Sequence, residues 1–449
     1  MAPKAMKTLW LLLFLFLMGY SQAFWKMRTD GYIGIARIDP IEDPGMVSCH
    51  AHTIHGGSNF GFNSTYDDMI KSNCTSAAVT QDKSAYWTPT LMFQFTNGTV
   101  VTAHEMSFVS YYFLNWPGQN MTGFPADFRM ISGDPTRRTM NYPIPDPPRP
   151  WMGRDAAQDA LASKAIGFNC LTKNGSSEAS LGRHYLPDKE FLETNCLGGL
   201  RLEVQFPQCW DGVNTDSPDH KSHIKYTDQV ISGDCIEPGY QTRVPGLFYE
   251  LLYNVTAFTG QQGQYILSTG DPTGYSLHAD FLMGWTSPTL LNSAVAQCLD
   301  PAGLIDNCPL FHINETAAAS CTLALPSPIQ NDNPSGPRQG LAGGLKVVSS
   351  GTPPMPPATP LSRYAAMNAA EGTSVSLSET PSMASMSSMS SMPMGGAPTM
   401  AGGLPGEGFP GVLVEVVEEV VVLVQGMQGM GGRRRRHIQR HVEGGQHHV

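Results

Sequence analysis

Charge is scarce in this chain. Only 15% of its 449 residues are Asp, Glu, Lys or Arg, and the balance is acidic, with a formal charge of -10. That argues against a nucleic-acid protein, which needs a basic stripe to neutralise phosphates. Three catalytic and metal signatures are also missing: a close Cys-x-x-Cys pair, a Gly-x-Ser-x-Gly elbow and a His-Glu-x-x-His helix. Their absence removes the usual zinc ribbon, the α/β-hydrolase nucleophile and the zinc-protease helix. Beyond residue 18 no apolar run approaches the roughly 20 residues of a membrane span. The chain is still 41% hydrophobic, enough to fill a core.

What is present points to export. Lys4 and Lys7 precede an apolar stretch from Leu9 to Met18, and Ser21-Gln22-Ala23 offers a small-residue exit. Residues 1–23 therefore read as a signal peptide, with Phe24 first after cleavage and no transmembrane anchor. Seven Asn-x-Ser/Thr sites, at Asn63, Asn73, Asn97, Asn120, Asn174, Asn254 and Asn314, suit a glycosylated extracellular product. Nine cysteines suit disulfides. Cys209 with Cys235 and Cys298 with Cys308 are the plausible local pairs, and the odd count leaves one thiol free or intermolecular.

Composition divides the rest. Residues 24–325 alternate short aromatic and branched runs with Gly and Pro, as at Trp87 to Phe95, Gly199 to Phe206, Leu247 to Val255 and Gln264 to Ser268. Helical patterns are few, chiefly Tyr66 to Ser72, Asp155 to Ile166 and Thr289 to Cys298. The expected fold is mainly β, an antiparallel β-sandwich-like single domain with long disulfide-bonded loops and a few short helices. Residues 326–449 turn to Pro, Gly, Ser and Met and end in Arg and His, which reads as a disordered, low-complexity tail. Met383, Met386, Met389 and Met392 recur every third residue; repeat slippage explains them better than copper binding.

Three segments concentrate chemistry. Cys49-His50-Ala51-His52 precedes Gly56-Gly57; on a strand, alternation would set His50 and His52 side by side. A Trp210-Asp211 turn leads to Asp216, Asp219, His220, Lys221 and His223. Asp271 opens a turn through Tyr275 to His278 and Asp280. Loops held by strands often carry function, so the three are expected to converge. In that scheme His50, His52 and His278 hold a divalent metal or move protons, with the metal's identity open. Asp219, His220 and Asp271 act as acid, base or orienters, and Lys83 steadies developing negative charge. Trp87, Trp210 and Tyr275 offer faces for sugar rings, although aromatic residues more often fill cores. The same patterns also suit ordinary turns with hydrogen-bonded histidines.

Taken in order, Arg37-Ile38-Asp39-Pro40-Ile41, His50-Ala51-His52, Gly56-Gly57, Asp82 to Pro89 and Arg129 to Pro135 form a distinctive series. With the Cys209, Asp219 and Asp271 blocks, they resemble a fungal secreted family known only as domain of unknown function nineteen ninety-six, often joined to WSC carbohydrate-binding modules. The resemblance spans about residues 32 to 313 and implies a fungal extracellular protein, without supplying an activity. This chain has no such module. The leading expectation is a protein that acts on or binds extracellular or cell-wall polysaccharide through a His/Asp-lined cleft, as a hydrolase or lyase if an enzyme. The alternative is a non-catalytic wall-associated or metal-binding surface protein.

Overall fold

A computed structural model describes residues 23–29, 31–114, 121–351 and 355–374, the last seven as backbone only. The signal segment up to residue 22, Asn120 and the Met-rich and Arg-ended stretch from 375 lie outside the described residues.

Two five-stranded antiparallel sheets dominate. The first orders Phe24–Thr29, His104–Phe113, Gly246–Asn254, Gly199–Gln205 and Ile166–Leu171. The second orders Gly34–Ala36, His52–Gly56, Ala85–Pro89, His278–Leu282 and Arg129–Gly133. They face each other across an aromatic core: Tyr86 of the second meets Phe108 and Tyr249 of the first at centroid distances of 6.0 and 5.7 Å. Some polar tips pair inside it, with Tyr86 and Tyr112 hydroxyls 2.8 Å apart and the Tyr249 hydroxyl donating to the Asp280 carbonyl. This is the antiparallel β-sandwich that the strand patterns predict. Three smaller sheets decorate it, and no described helix is long and apolar enough to cross a membrane.

Because side chains alternate along a strand, each sheet also has an outer face. On the second sheet that face carries Ile54, Trp87, Ile131 and Leu282, packed under Phe60, Phe62 and Leu323. Four disulfides tie the loops: Cys74–Cys321, Cys170–Cys196, Cys209–Cys235 and Cys298–Cys308, including both local pairs expected. Cys49 is the free thiol.

Composition places the end of the domain at 325, yet the described chain keeps packing beyond it. Arg338–Gln339 pairs with the Thr99–Thr102 strand, and Thr359–Pro360 with Met46–Val47. Asp332 grips the Arg37 guanidinium at 2.6 and 3.0 Å, and Tyr364 buries its ring beneath it. The segment holds on by borrowing strand edges and a few anchors, so no apolar period of its own marks it.

Candidate metal centre

The second sheet's outer face changes character at one end. His52 begins the His52–Gly56 strand, opposite Ala36 and Pro89. His278 and Asp280, two residues apart on the His278–Leu282 strand of the same sheet, point to the same face as Leu282. Gly133 lies opposite His278 at a φ of 89°, where a Cβ would stand 2.7 Å from the His278 Cα. Only glycine allows that approach. His50 sits in the bend before its strand rather than within it, but its ring still lies 4.2 Å from that of His52.

The five polar groups gathered here are His50, His52, His278, Asp39 and Asp280, none more than 5% exposed. Donor atoms of the three histidines lie within 4.8 Å of one another, as do those of Asp39, His52 and Asp280. Two backbone carbonyls fix the rings. His52 Nδ1 donates to Ile38 O at 3.1 Å, and His278 Nδ1 donates to Ser276 O at 2.8 Å. A carbonyl only accepts, so each proton sits on Nδ1 and each Nε2 turns a lone pair inward. The Nε2 atoms of His50 and His278 are 3.2 Å apart. His52 Nε2 and both Asp280 carboxylate oxygens have no hydrogen-bond partner. Asp39 accepts from the Ile41 and Glu42 amides through Oδ1 and holds Oδ2 3.9 Å from His52 Nε2.

Burial sets the charge states. It keeps His50 and His52 well below the ordinary imidazole range and brings His278 down to about 4, so all three rings are neutral. Burial also pushes the Asp39 carboxyl up to about 7 and Asp280 well above the carboxylate range. The cluster thus gathers neutral imidazoles beside two acids whose charged forms burial disfavours.

The remaining sequence candidates fall into three groups. Asp271 is fully buried and spends its oxygens on the turn, accepting from Thr273 and from the Ser276 amide. It therefore shapes the turn whose Ser276 carbonyl orients His278. Asp219 and His220 lie on a partly exposed turn beside the centre. Partial burial would raise the Asp219 carboxyl, but hydrogen bonds from Ser222, Ser217 and Lys221 hold it far below its usual range. His220 pairs with Asp216 at 2.7 Å, and its carbonyl accepts from the Ile131 amide. Lys221 bonds the Gly133 carbonyl at 2.8 Å and so borders His278.

Two expectations need correction. Lys83 lies past the far end of the Ala85–Pro89 strand from Pro89, about 20 Å from His52 at strand spacing; its ammonium bonds Ser72 O. Trp87 is fully buried, 4.9 Å from the Phe60 ring, so its indole packs the core and cannot stack on a sugar. Gly56 and Gly57 allow the close backbone approach that a Gly pair permits: a Cβ on Gly56 would stand 1.8 Å from Ser84 O. Trp210 is 9% exposed and bonds Asn214 O, while Tyr275 is half-buried. Of the described sequons, Asn63, Asn73, Asn97, Asn174 and Asn314 are exposed and Asn254 is half-buried.

Fold and cluster together define a disulfide-bonded β-sandwich with a buried histidine and carboxylate centre. The chain belongs to the family described as Domain of unknown function (DUF1996), whose model matches residues 39–285 and so contains all five centre residues. No curated protein and no solved structure matches it.

Proposed function

We propose that this chain is an extracellular metal-binding protein in which His50, His52 and His278 hold a divalent first-row transition ion, with Asp39 and Asp280 supplying carboxylate. The observation that carries this reading is the inward convergence of Nε2 atoms whose tautomers are set by Ile38 and Ser276. Two nitrogens held by one tetrahedral ion at roughly 2.0–2.1 Å stand about 3.3 Å apart. The 3.2 Å between His50 and His278 suits that arrangement. A divalent charge also balances two ionised carboxylates, leaving a neutral buried site. Imidazole with carboxylate suits zinc, iron, copper or manganese. The four disulfides support an oxidising, extracellular setting.

Metal-assisted action on extracellular or wall polysaccharide is a second reading. It draws support from the partly exposed Asp216–His220 pair and Lys221, which border the centre and could move protons at its edge. The burial of Trp87 removes one expected sugar platform.

Metal content of the purified secreted chain, beside a His52→Ala/His278→Ala variant of matched circular dichroism, tests the first reading. The expected result is close to one ion per wild-type chain after loading and none in the variant. A wild-type chain that retains no ion after dialysis overturns it. Release of sugar from wall polysaccharides by the loaded chain alone would favour the second reading.

A further inference from the structure

His50 is held differently from the other two rings of the centre. His52 and His278 each commit the Nδ1 proton to a carbonyl, Ile38 O and Ser276 O, which leaves each Nε2 as an acceptor. His50 instead has its Nδ1 3.5 Å from Cys49 Sγ and its Nε2 3.2 Å from His278 Nε2. With no ion between them, two bare nitrogens at that distance repel. Since the His278 proton is committed to Ser276, the proton of this contact stands on His50 Nε2 and is donated to His278. Burial, reinforced by His52, His278, Arg138 and Arg37, keeps the His50 ring neutral, so its Nδ1 is then a bare acceptor. Burial also pushes the Cys49 thiol up to about 12, so the group that meets Nδ1 is an S–H donor.

An ion is held through Nε2 only when that nitrogen is bare, which requires the opposite tautomer with the His50 proton on Nδ1. Cys49 suits both tautomers, because a thiol donates and its sulfur accepts. The other eight cysteines are paired in disulfides, so this thiol keeps its proton. Its backbone is fixed on two sides. Arg37 Nη1 donates to Ser48 O at 3.1 Å, and the Ser48 amide donates to Arg37 O at 3.1 Å. Gly343, at a φ of 76°, packs so tightly that a Cβ there would stand 2.2 Å from the Cys49 carbonyl oxygen.

We propose that Cys49 is a positioning residue for the metal centre, an inference that rests on the metal reading: its thiol donates to His50 Nδ1 before loading, and its sulfur accepts from His50 Nδ1–H afterwards. The ring thus changes tautomer without losing its partner. On loading, the Nε2 proton passes to solvent and one from solvent settles on Nδ1, so the charge of the ring and its proton count stay the same. The Ile38 and Ser276 carbonyls only accept and hold two rings in the binding tautomer throughout, whereas Cys49 holds the third in either.

Proton–nitrogen correlation spectra of the histidine rings in the full secreted chain, first with chelator and then with one equivalent of zinc, provide the test. With chelator, His50 should be protonated at Nε2 and both His52 and His278 at Nδ1; with zinc, all three should be protonated at Nδ1. Cys49→Val and Cys49→Ala, which remove donor and acceptor alike, should weaken zinc affinity about tenfold, whereas Cys49→Ser, which keeps both roles, should stay within about threefold of the wild type. Melting curves establish that each variant is folded. His50 protonated at Nδ1 in the presence of chelator, wild-type affinity in either folded variant without the thiol, or no rescue by Cys49→Ser overturns the switch and leaves the metal reading standing. A wild-type chain that takes up no zinc overturns both.

Discussion

On the outer face of the first sheet, Arg201 lies between Glu203 and Glu250, and the protein supplies its own counter-charge. On the outer face of the second, Asp280 is equally buried, yet neither of its oxygens has a hydrogen-bond partner, and the groups gathered around it are neutral imidazoles and another acid. One sheet buries an ion cluster that is nearly complete. The other buries neutral imidazoles beside carboxyls, the set that the proposed cation would complete. Burial keeps the Asp280 carboxyl neutral where no cation faces it, so the contrast sets a self-paired ionic cluster against the proposed binding one.

Breaking each cluster should therefore have different consequences. Arg201→Met leaves Glu203 and Glu250 buried without their guanidinium and should cost about 3–5 kcal/mol, with or without metal, in denaturant titrations. At the other face, an ion at a hundred times its dissociation constant should stabilise the wild type by about 2.7 kcal/mol. That gain should vanish in His52→Ala, as read by calorimetry with and without chelator. Asp280→Leu should reverse sign with conditions, raising metal-free stability by about 2 kcal/mol by removing an unsatisfied carboxyl while weakening metal affinity. A fall in metal-free stability would assign Asp280 a structural partner and erase the contrast.

The Asp216–His220 pair supplies a partly exposed baseline, with side chains 33% and 20% accessible. Its bond to Asp216 is the main cause raising His220, with burial opposing and Glu42 and Arg129 also acting on it. Partial burial would raise Asp216, but the bond to His220 prevails and lowers it. The pair stabilises the fold while His220 is charged and Asp216 ionised, from above Asp216's lowered value up through His220's raised one. Asp216→Asn should then cost less than about 1 kcal/mol near pH 6 and still less at pH 9, by thermal melts at both values.

Much of this was readable from residue order. Runs such as Gly199 to Phe206 and Leu247 to Val255 mark the first sheet because their apolar face fills the aromatic core. His50 and His52 were legible as neighbours, and His278-Ala279-Asp280 carries the same two-residue signal across a strand. Asp39 was not singled out as a ligand, because only tertiary packing brings the Arg37 to Glu42 turn over His52. Lys83 and Trp87 misled for the complementary reason. Both adjoin a strand that does reach the centre, but one lies at its far end and the other faces Phe60. The Arg201 cluster left no pattern, since an Arg and two Glu in strands read as ordinary solvent-facing alternation until their burial is seen.

X-ray absorption at the metal edge of the chain loaded with one equivalent of zinc tests the central claim most directly. The account predicts a nitrogen and oxygen shell at about 2.0–2.1 Å with outer scattering from three imidazoles, lost in His278→Ala. A sulfur shell from Cys49, or an all-oxygen shell without imidazole scattering, would contradict it.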